Sequence, residues 1–318
     1  MLYPKDATNA GIEVKARVWE KYKITNPGPA RQSLGIKIHR VENGTIISPG
    51  QKAFITTILK WFNMQNAHHV SSLMDPDMKL NLAEDSGEKE LKDIKGYRAI
   101  VGSVLYAALA NQPDISPAVA ALCPYNSFPF TSHLTAAKSV LQYSTSTGNF
   151  RLHLSSSSST NSNDQLTSFM DCDWANDSAD LKSQGDHVFL LSNRAVWWQS
   201  QNQDLIAMST LKAKYIACSE GSREAKWLLQ YHPDIHAKDT SLLPINCNNQ
   251  GALGHITTAI MISRTKHIDV CYQNCRHLHA RKIVDYSYMH TSQNVADIRT
   301  KALSDEKHKK SRQAMRLW

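Results

Sequence analysis

Between Leu166 and His290 two hydrophobic periods follow each other in a fixed order, and that order leaves few folds open. LTSFMDCDW (166–174), HVFLLS (187–192) and AVWWQS (195–200) read as three strands. Short runs crowded with aromatic, β-branched and apolar residues, bounded by polar turns, are the signature of sheet. Only Asn193-Arg194 separates the second run from the third, a hairpin-sized gap. LKAKYIACSEGSREAKWLLQ (211–230) is long enough to be a helix, LPINCNN (243–249) returns to strand, and KHIDVCYQNCRHLHARK (266–282) is a second helix. VDYSYMH (284–290) alternates as a fifth strand. Hairpins first, then strands alternating with helices, predict an α/β fold with helices on a mixed five-stranded sheet.

The chain before this region is mostly helical. SLGIKIHRVENGTIISP (33–49) has two Ile-rich runs around Asn-Gly, a hairpin signal. QKAFITTILKWFNM (51–64) repeats Phe54, Ile55, Ile58, Leu59 and Phe62 at helical spacing. Residues 65–92 are polar and read as a linker, whereas Lys95–Leu122 reads as two apolar helices broken near Asn111–Pro113. HLTAAKSVLQYSTS (133–146) is a further helix. The Ser/Asn run SSSSSTNSNDQ (155–165) is the best boundary candidate. Three segments are expected: 1–92, hairpin, helix and linker; 93–160, helical; and 161–318, the five-stranded region with a basic tail.

Composition narrows the partners. With 42% apolar and 20% charged residues the chain can bury cores and is not of the disordered class. No apolar run approaches the roughly eighteen residues of a membrane span, and MLYPKDATNAG lacks the apolar stretch of a secretory leader. A cytoplasmic or nuclear location is expected, and the six scattered Cys suit free thiols. Asn43-Gly44-Thr45 matches a glycosylation acceptor and is read as a turn. Net charge is +8, and Arg299–Trp318 holds seven Lys or Arg against two Asp or Glu. Such a tail can contact phosphates or be a solvated helix or a frayed end, and all these readings stand.

Several chemistries lack their motifs. There is no G-x-S-x-G elbow, P-loop or G-x-G-x-x-G fingerprint. Cys271, Cys275, His277 and His279 have zinc-ligand chemistry, but on a helix 271, 275 and 279 share a face that 277 leaves, which favours ordinary helix residues. Adjacent strand residues point to opposite faces. One of Trp197 and Trp198 therefore belongs to the core, and the other is open to base stacking or to packing under a helix.

A set of blocks in fixed order carries a resemblance. LGIKIHR, the helix that starts near Gln51, MDPDMKL and GYRAIVGSVLYAALANQPDIS resemble the end of a copia-type retrotransposon reverse transcriptase and the connection that follows it. DCDWAND, STLKAKYIA, NCNNQGA, RTKHIDV and NVADIRTKAL resemble successive landmarks of that family's RNase H domain. The likeness runs from about residue 18 to 303. It implies an RNase H-like fold preceded by a thumb and connection remnant. The family's polymerase turn, Tyr-x-Asp-Asp, is absent from this sequence, so polymerization by this chain alone is not expected.

The resemblance also implies a site. Cleaving RNA in a hybrid takes two divalent ions that activate water and stabilise the leaving oxygen, and Mg²⁺ demands oxygen ligands. The family gathers four acids for this. The first falls on Asp171, with Asp173 on the same face as a weaker candidate. The second, a Glu in a block written STEAEY, falls on Lys214. The third, the Asp of a CDNQ block, falls on Asn248. The fourth falls on Asp297. Formal charge over these four positions drops from −4 to −1, which opposes two-metal binding. The expectation is that Lys214 takes the metal's electrostatic place and holds Asp171 and Asp297 together. Lys266, His267 and Lys301 are candidate nucleic-acid or phosphate contacts, with packing and capping as the alternative for 266, 267 and Asp269. DLKSQGDHVF (180–189) replaces the family's STSGY block. The resemblance thus implies a degenerate RNase H-like protein without nuclease or polymerase activity, in which nucleic-acid binding is the property that could survive. Two alternatives remain. One is residual metal-dependent hydrolysis of RNA in RNA–DNA hybrids, with Asp173 or Glu220 replacing a lost ligand. The other is a repurposed fold serving as another enzyme or a partner-binding scaffold. No cofactor is expected; Mg²⁺ or Mn²⁺ enters only with residual nuclease activity. The partners implied are an RNA–DNA hybrid or other nucleic acid and no membrane, and the sequence leaves the oligomeric state open.

Overall fold

The chain was analysed as a computed structural model, which describes residues 16–18, 20–22, 29–41, 46–68, 70, 73, 80, 89–155, 166–175, 181–230, 242–258, 273–299 and 305–318. The Asn43-Gly44 turn, MDPDMK, the Ser/Asn run from residue 156 onward, Lys266, His267, Asp269, Cys271 and Lys301 lie outside the described residues.

The Ile-rich hairpin is present. β1 (Gln32–Ser33), β2 (Ile36–Val41), β3 (Ile46–Gly50) and β4 (Leu154–Ser155) form an antiparallel sheet in that order, with His39 opposite Ser48. Helix α1 (Lys52–Trp61) follows and buries Ile55, Ile58 and Leu59 along one face. Burying side chains of this size is worth roughly 1.5–3 kcal/mol each. α2 (Ile94–Ala110) is capped by the Asp93 carboxylate, which accepts from the Gly96 amide at 2.9 Å. The break expected near Asn111–Pro113 is a 3₁₀ turn, Pro113–Ile115, before α3 (Ser116–Leu122). Proline is tolerated there because a first-turn N–H has no helical acceptor to lose. α4 (Thr131–Thr147) completes the bundle. Met64 and Leu73 are buried with it, and Leu80 packs against it, so parts of the polar 65–92 stretch contribute to this core.

The second sheet has five strands. β5 (Leu166–Asp173), β6 (Gln184–Leu191) and β7 (Arg194–Asn202) form an antiparallel meander; β8 (Leu243–Cys247) and β9 (Val284–Tyr288) add in parallel on the other side, giving the order β7-β6-β5-β8-β9. This is the mixed, RNase H-like sheet that the sequence implies. Ser192 and Asn193 turn the β6–β7 hairpin with φ of 49° and 60°. Positive φ at both central residues is what a two-residue hairpin needs; Asn accepts it readily, while Ser192 carries some strain. α5 (Thr210–Gln230), α6 (Gln250–Thr257) and α7 (Asn274–Ala280) cover one face, over Met170, Cys172, Phe189 and Ile245.

The other face is closed by the chain's own end. α8 (Asp305–Ala314) leads into Met315 and Leu317, both fully buried with Phe169, Val188 and Leu190. Residues 316–318 pair with 151–153: the Arg151 amide donates to the Trp318 carbonyl at 2.9 Å and the His153 amide to the Arg316 carbonyl at 2.9 Å. Arg312 donates to the Tyr143 hydroxyl at 3.0 Å, and Tyr143 donates to buried Asp114 at 2.7 Å. The basic tail therefore ends docked, not frayed. Among the described residues no helix is long and apolar enough to cross a membrane, and the five described cysteines are free.

Candidate functional site

The alternation of β5 puts Asp171 and Asp173 on one face. Asp171 is 1% exposed, whereas Asp173 is half-buried. Cross-strand register sets Asp171 opposite Asp186 of β6, and Asp186 opposite Ser200 of β7. The Ser200 hydroxyl donates to the Asp186 carboxylate, which is itself buried.

Three further elements end near the same edge. β8 pairs with β5 through Cys247 and Met170, so Asn248 leaves the strand beside Asp171. α5 starts at Thr210, which places Lys214 in its second turn, and its ammonium donates to the Asp171 carboxylate in an ion pair whose side chains are 14% and 2% exposed. Asp297 sits in a 3₁₀ turn, Val295–Arg299, and is buried. That turn is fixed against β5 by Asn294, whose amide donates to the Met170 carbonyl at 3.0 Å and accepts from the Ala296 amide at 3.1 Å. Asn248 donates to the Thr291 hydroxyl at 3.4 Å. Asp171, Lys214, Asn248 and Asp297, 126 residues apart at the extremes, thus gather around the end of β5.

The Lys214 ammonium sits against the Asp171 carboxylate at this edge. Attraction between a buried carboxylate and an ammonium is stronger at low dielectric than at the surface, while the desolvation of both groups opposes it. The same ammonium opposes the upward push that burial gives the Cys172 thiol. At the four family positions the donor set for divalent ions is two carboxylates, one neutral amide and one cation. That set does not fit a pair of Mg²⁺ ions, which need several anionic oxygens. Among the described residues no group of three or more His, Cys, Asp or Glu could hold a metal ion. Glu220, the other candidate replacement ligand, is buried. It lies deep on α5, within reach of Gly185 and hydrogen-bonded with Gln201. Its carboxyl is pushed up to about 7, first by burial, and Arg223 and the Gln201 hydrogen bond only partly offset this.

Other candidates resolve into packing. Trp197 meets Trp227 at a centroid distance of 5.2 Å on the α5 face. Trp198 faces the opposite core and donates to the Ala108 carbonyl at 2.9 Å. Trp174, 45% exposed, is anchored by its indole N–H to the Ala207 carbonyl at 2.7 Å. Cys275 is buried in the core while His277 is exposed, so these two do not converge. Asp186 is the residue at this edge that sequence reasoning missed. Its signal was a lone acid inside the otherwise uncharged strand run QGDHVFLL, since charged residues are almost never fully buried without partners.

No family model matches the chain. It is 30% identical over 300 residues, 93% of its length, to the Retrovirus-related Pol polyprotein from transposon TNT 1-94 of Nicotiana tabacum. It is 30% identical over 285 residues to the corresponding polyprotein from transposon RE1 of Arabidopsis thaliana. The chain spans only about a fifth of these relatives, 22% and 19% of their lengths. Among solved structures, the N-terminal RNase H domain of a Mycobacterium tuberculosis protein, fused to maltose-binding protein, aligns with 11% identity, covering 47% of this chain and 97% of that one at a TM-score of 0.32.

Proposed function

The chain belongs to the copia-type retrotransposon Pol-related proteins with an RNase H-like domain, and from that premise we propose that it is a degenerate member without nuclease or polymerase activity that keeps an affinity for nucleic acid. The observation that carries the reading is the Lys214–Asp171 ion pair. It sets a fixed cation at the carboxylate that the family's resemblance assigns to metal binding. Asn248, at a second acid position, contributes no charge, so the formal charge over the four family positions falls to −1 and attracts divalent ions less. A net charge of +8 favours contact with phosphates. On this reading Lys266, His267 and Lys301 remain candidate phosphate contacts, and Asp171, Asp297, Lys214 and Asn248 mark the former site. Free buried thiols go with a reducing, cytoplasmic or nuclear location.

The test is cleavage of a labelled RNA–DNA hybrid with Mg²⁺ or Mn²⁺, run with Asp171→Asn and with a gel shift on the same substrate. No cleavage together with a salt-sensitive shift is the expected result. Cleavage that Asp171→Asn abolishes would refute the loss of activity. A chain that neither cuts nor shifts the hybrid would remove the nucleic-acid half of the proposal.

A further inference from the structure

A cavity away from the former site suggests a different ligand. It measures about 400 Å³ and lies where α2 and α3 stand against β7. Volumes of roughly 300–1,000 Å³ at the junction of two packed units are typical of small-molecule sites. β7 is the outermost strand of its sheet, and helices commonly cover such edges. Here the cover is incomplete because the side chains facing the strand from α3 are small, Ala120 and Ser116 among them. The indole of Trp198 forms part of the wall and is fixed in place by its bond to the Ala108 carbonyl at 2.9 Å. Leu105 and Leu109 continue the apolar wall, and Leu109 remains 62% exposed at the rim. An apolar side chain of that size left in water is a standing invitation to burial.

Charge decides what could enter. None of the twelve residues lining the cavity is Lys, Arg, His, Asp or Glu, in a chain where 20% of residues are charged. The one titratable wall group, Cys123, is kept protonated because burial pushes its thiol up. An ion would lose its hydration here with nothing to replace it, and a nucleic-acid phosphate would find no cation. Polar contact comes from Ser116 on the helix side and from Asn202 on the strand side, whose amide can orient a ligand by hydrogen bonds; the Gln201 side chain is engaged by Glu220 and Gln199.

We propose that this cavity binds an uncharged, largely apolar small molecule carrying a hydrogen-bonding group, with Trp198, Leu105 and Leu109 supplying contact and Asn202 fixing orientation. None of the four family acid positions lines the cavity, although Ser200 in its wall donates to Asp186 at the former site's edge.

The probe is N-phenyl-1-naphthylamine, a neutral fluorophore, titrated into the full chain beside its anionic relative 1-anilinonaphthalene-8-sulfonate. The expected result is saturable one-to-one enhancement with the neutral dye, at least tenfold tighter than with the anionic one. Ala120→Phe, which fills the cavity, should weaken the neutral dye at least tenfold. Leu109→Lys, at an exposed rim position that carries little folding cost, should do the same by charging the mouth. As a second readout, bound dye should slow alkylation of Cys123 by N-ethylmaleimide, followed by peptide mass spectrometry. The other four described cysteines are buried and serve as internal references. Non-saturable enhancement, preference for the anion, or affinity unchanged in both variants would overturn the proposal.

Discussion

Glu220→Gln should flatten the acid side of the stability profile. The Glu220 carboxyl is 6% exposed, and burial moves it from 4.5 to about 7. Its folded-state value is raised, so the folded chain holds the proton more tightly than the unfolded chain. The stability this contributes is fully present below about pH 4.5 and is lost as pH rises through about 7. At 1.36 kcal/mol per pH unit the whole swing is about 3 kcal/mol, of which about 2 kcal/mol falls between about pH 5.5 and about pH 8. An amide cannot ionise, and it can still bond to Gln201. With the amide standing in for the protonated acid, the variant should exceed the parent by about 1 kcal/mol near pH 5.5 and by about 3 kcal/mol near pH 8. Urea unfolding followed by far-UV circular dichroism at the two pH values measures this. The fourteen histidines are common to both proteins and cancel in the difference. If the two proteins keep the same pH dependence, or if the amide weakens the chain at high pH, the buried-carboxyl reasoning fails.

Three other outcomes follow from packing and charge. Lys214→Met leaves the buried Asp171 carboxylate without its ammonium and should cost about 3–5 kcal/mol; adding Asp171→Asn should recover most of that in a double-mutant cycle of unfolding energies. Gly221→Ala drives a β-carbon into the Met170 thioether, where α5 packs on β5. It should lower stability by about 1–3 kcal/mol, and by less in a Met170→Ala background, as read from thermal unfolding. Arg312→Ala removes the bond to Tyr143 and the guanidinium 4.3 Å from the Phe150 ring centroid. It should cost about 1–3 kcal/mol and speed amide exchange at Arg151 and His153, whose partners lie in the chain end; unchanged exchange there would count against the docked tail.

Sequence alone determined the order of the elements. Strand and helix periods are local, so the alternation of Leu166–Asp173, the helical spacing of Phe54 to Phe62 and the hairpin gap read at Asn193-Arg194, one residue beyond the observed Ser192-Asn193 turn, each declare their structure without help from distant residues. It also determined what the old acid positions contain, because Lys214 and Asn248 are identities and need no coordinates. Tertiary structure decided what those residues do. Lys214 meets Asp171 across 43 residues, an ion pair that depends on where α5 crosses the sheet. Asp186 reaches the same edge only through the β5–β6 register. The basic C-terminal stretch read equally as nucleic-acid contact, solvated helix or frayed end, since its buried residues, Met315 and Leu317, find their partners in strands more than a hundred residues earlier. Glu220 looks like any solvated helix glutamate in the sequence; only packing removes the water that would keep its carboxyl near 4.5. Local periodicity is written in neighbouring residues, whereas dielectric, register and docking are properties of groups that the chain brings together only when it folds.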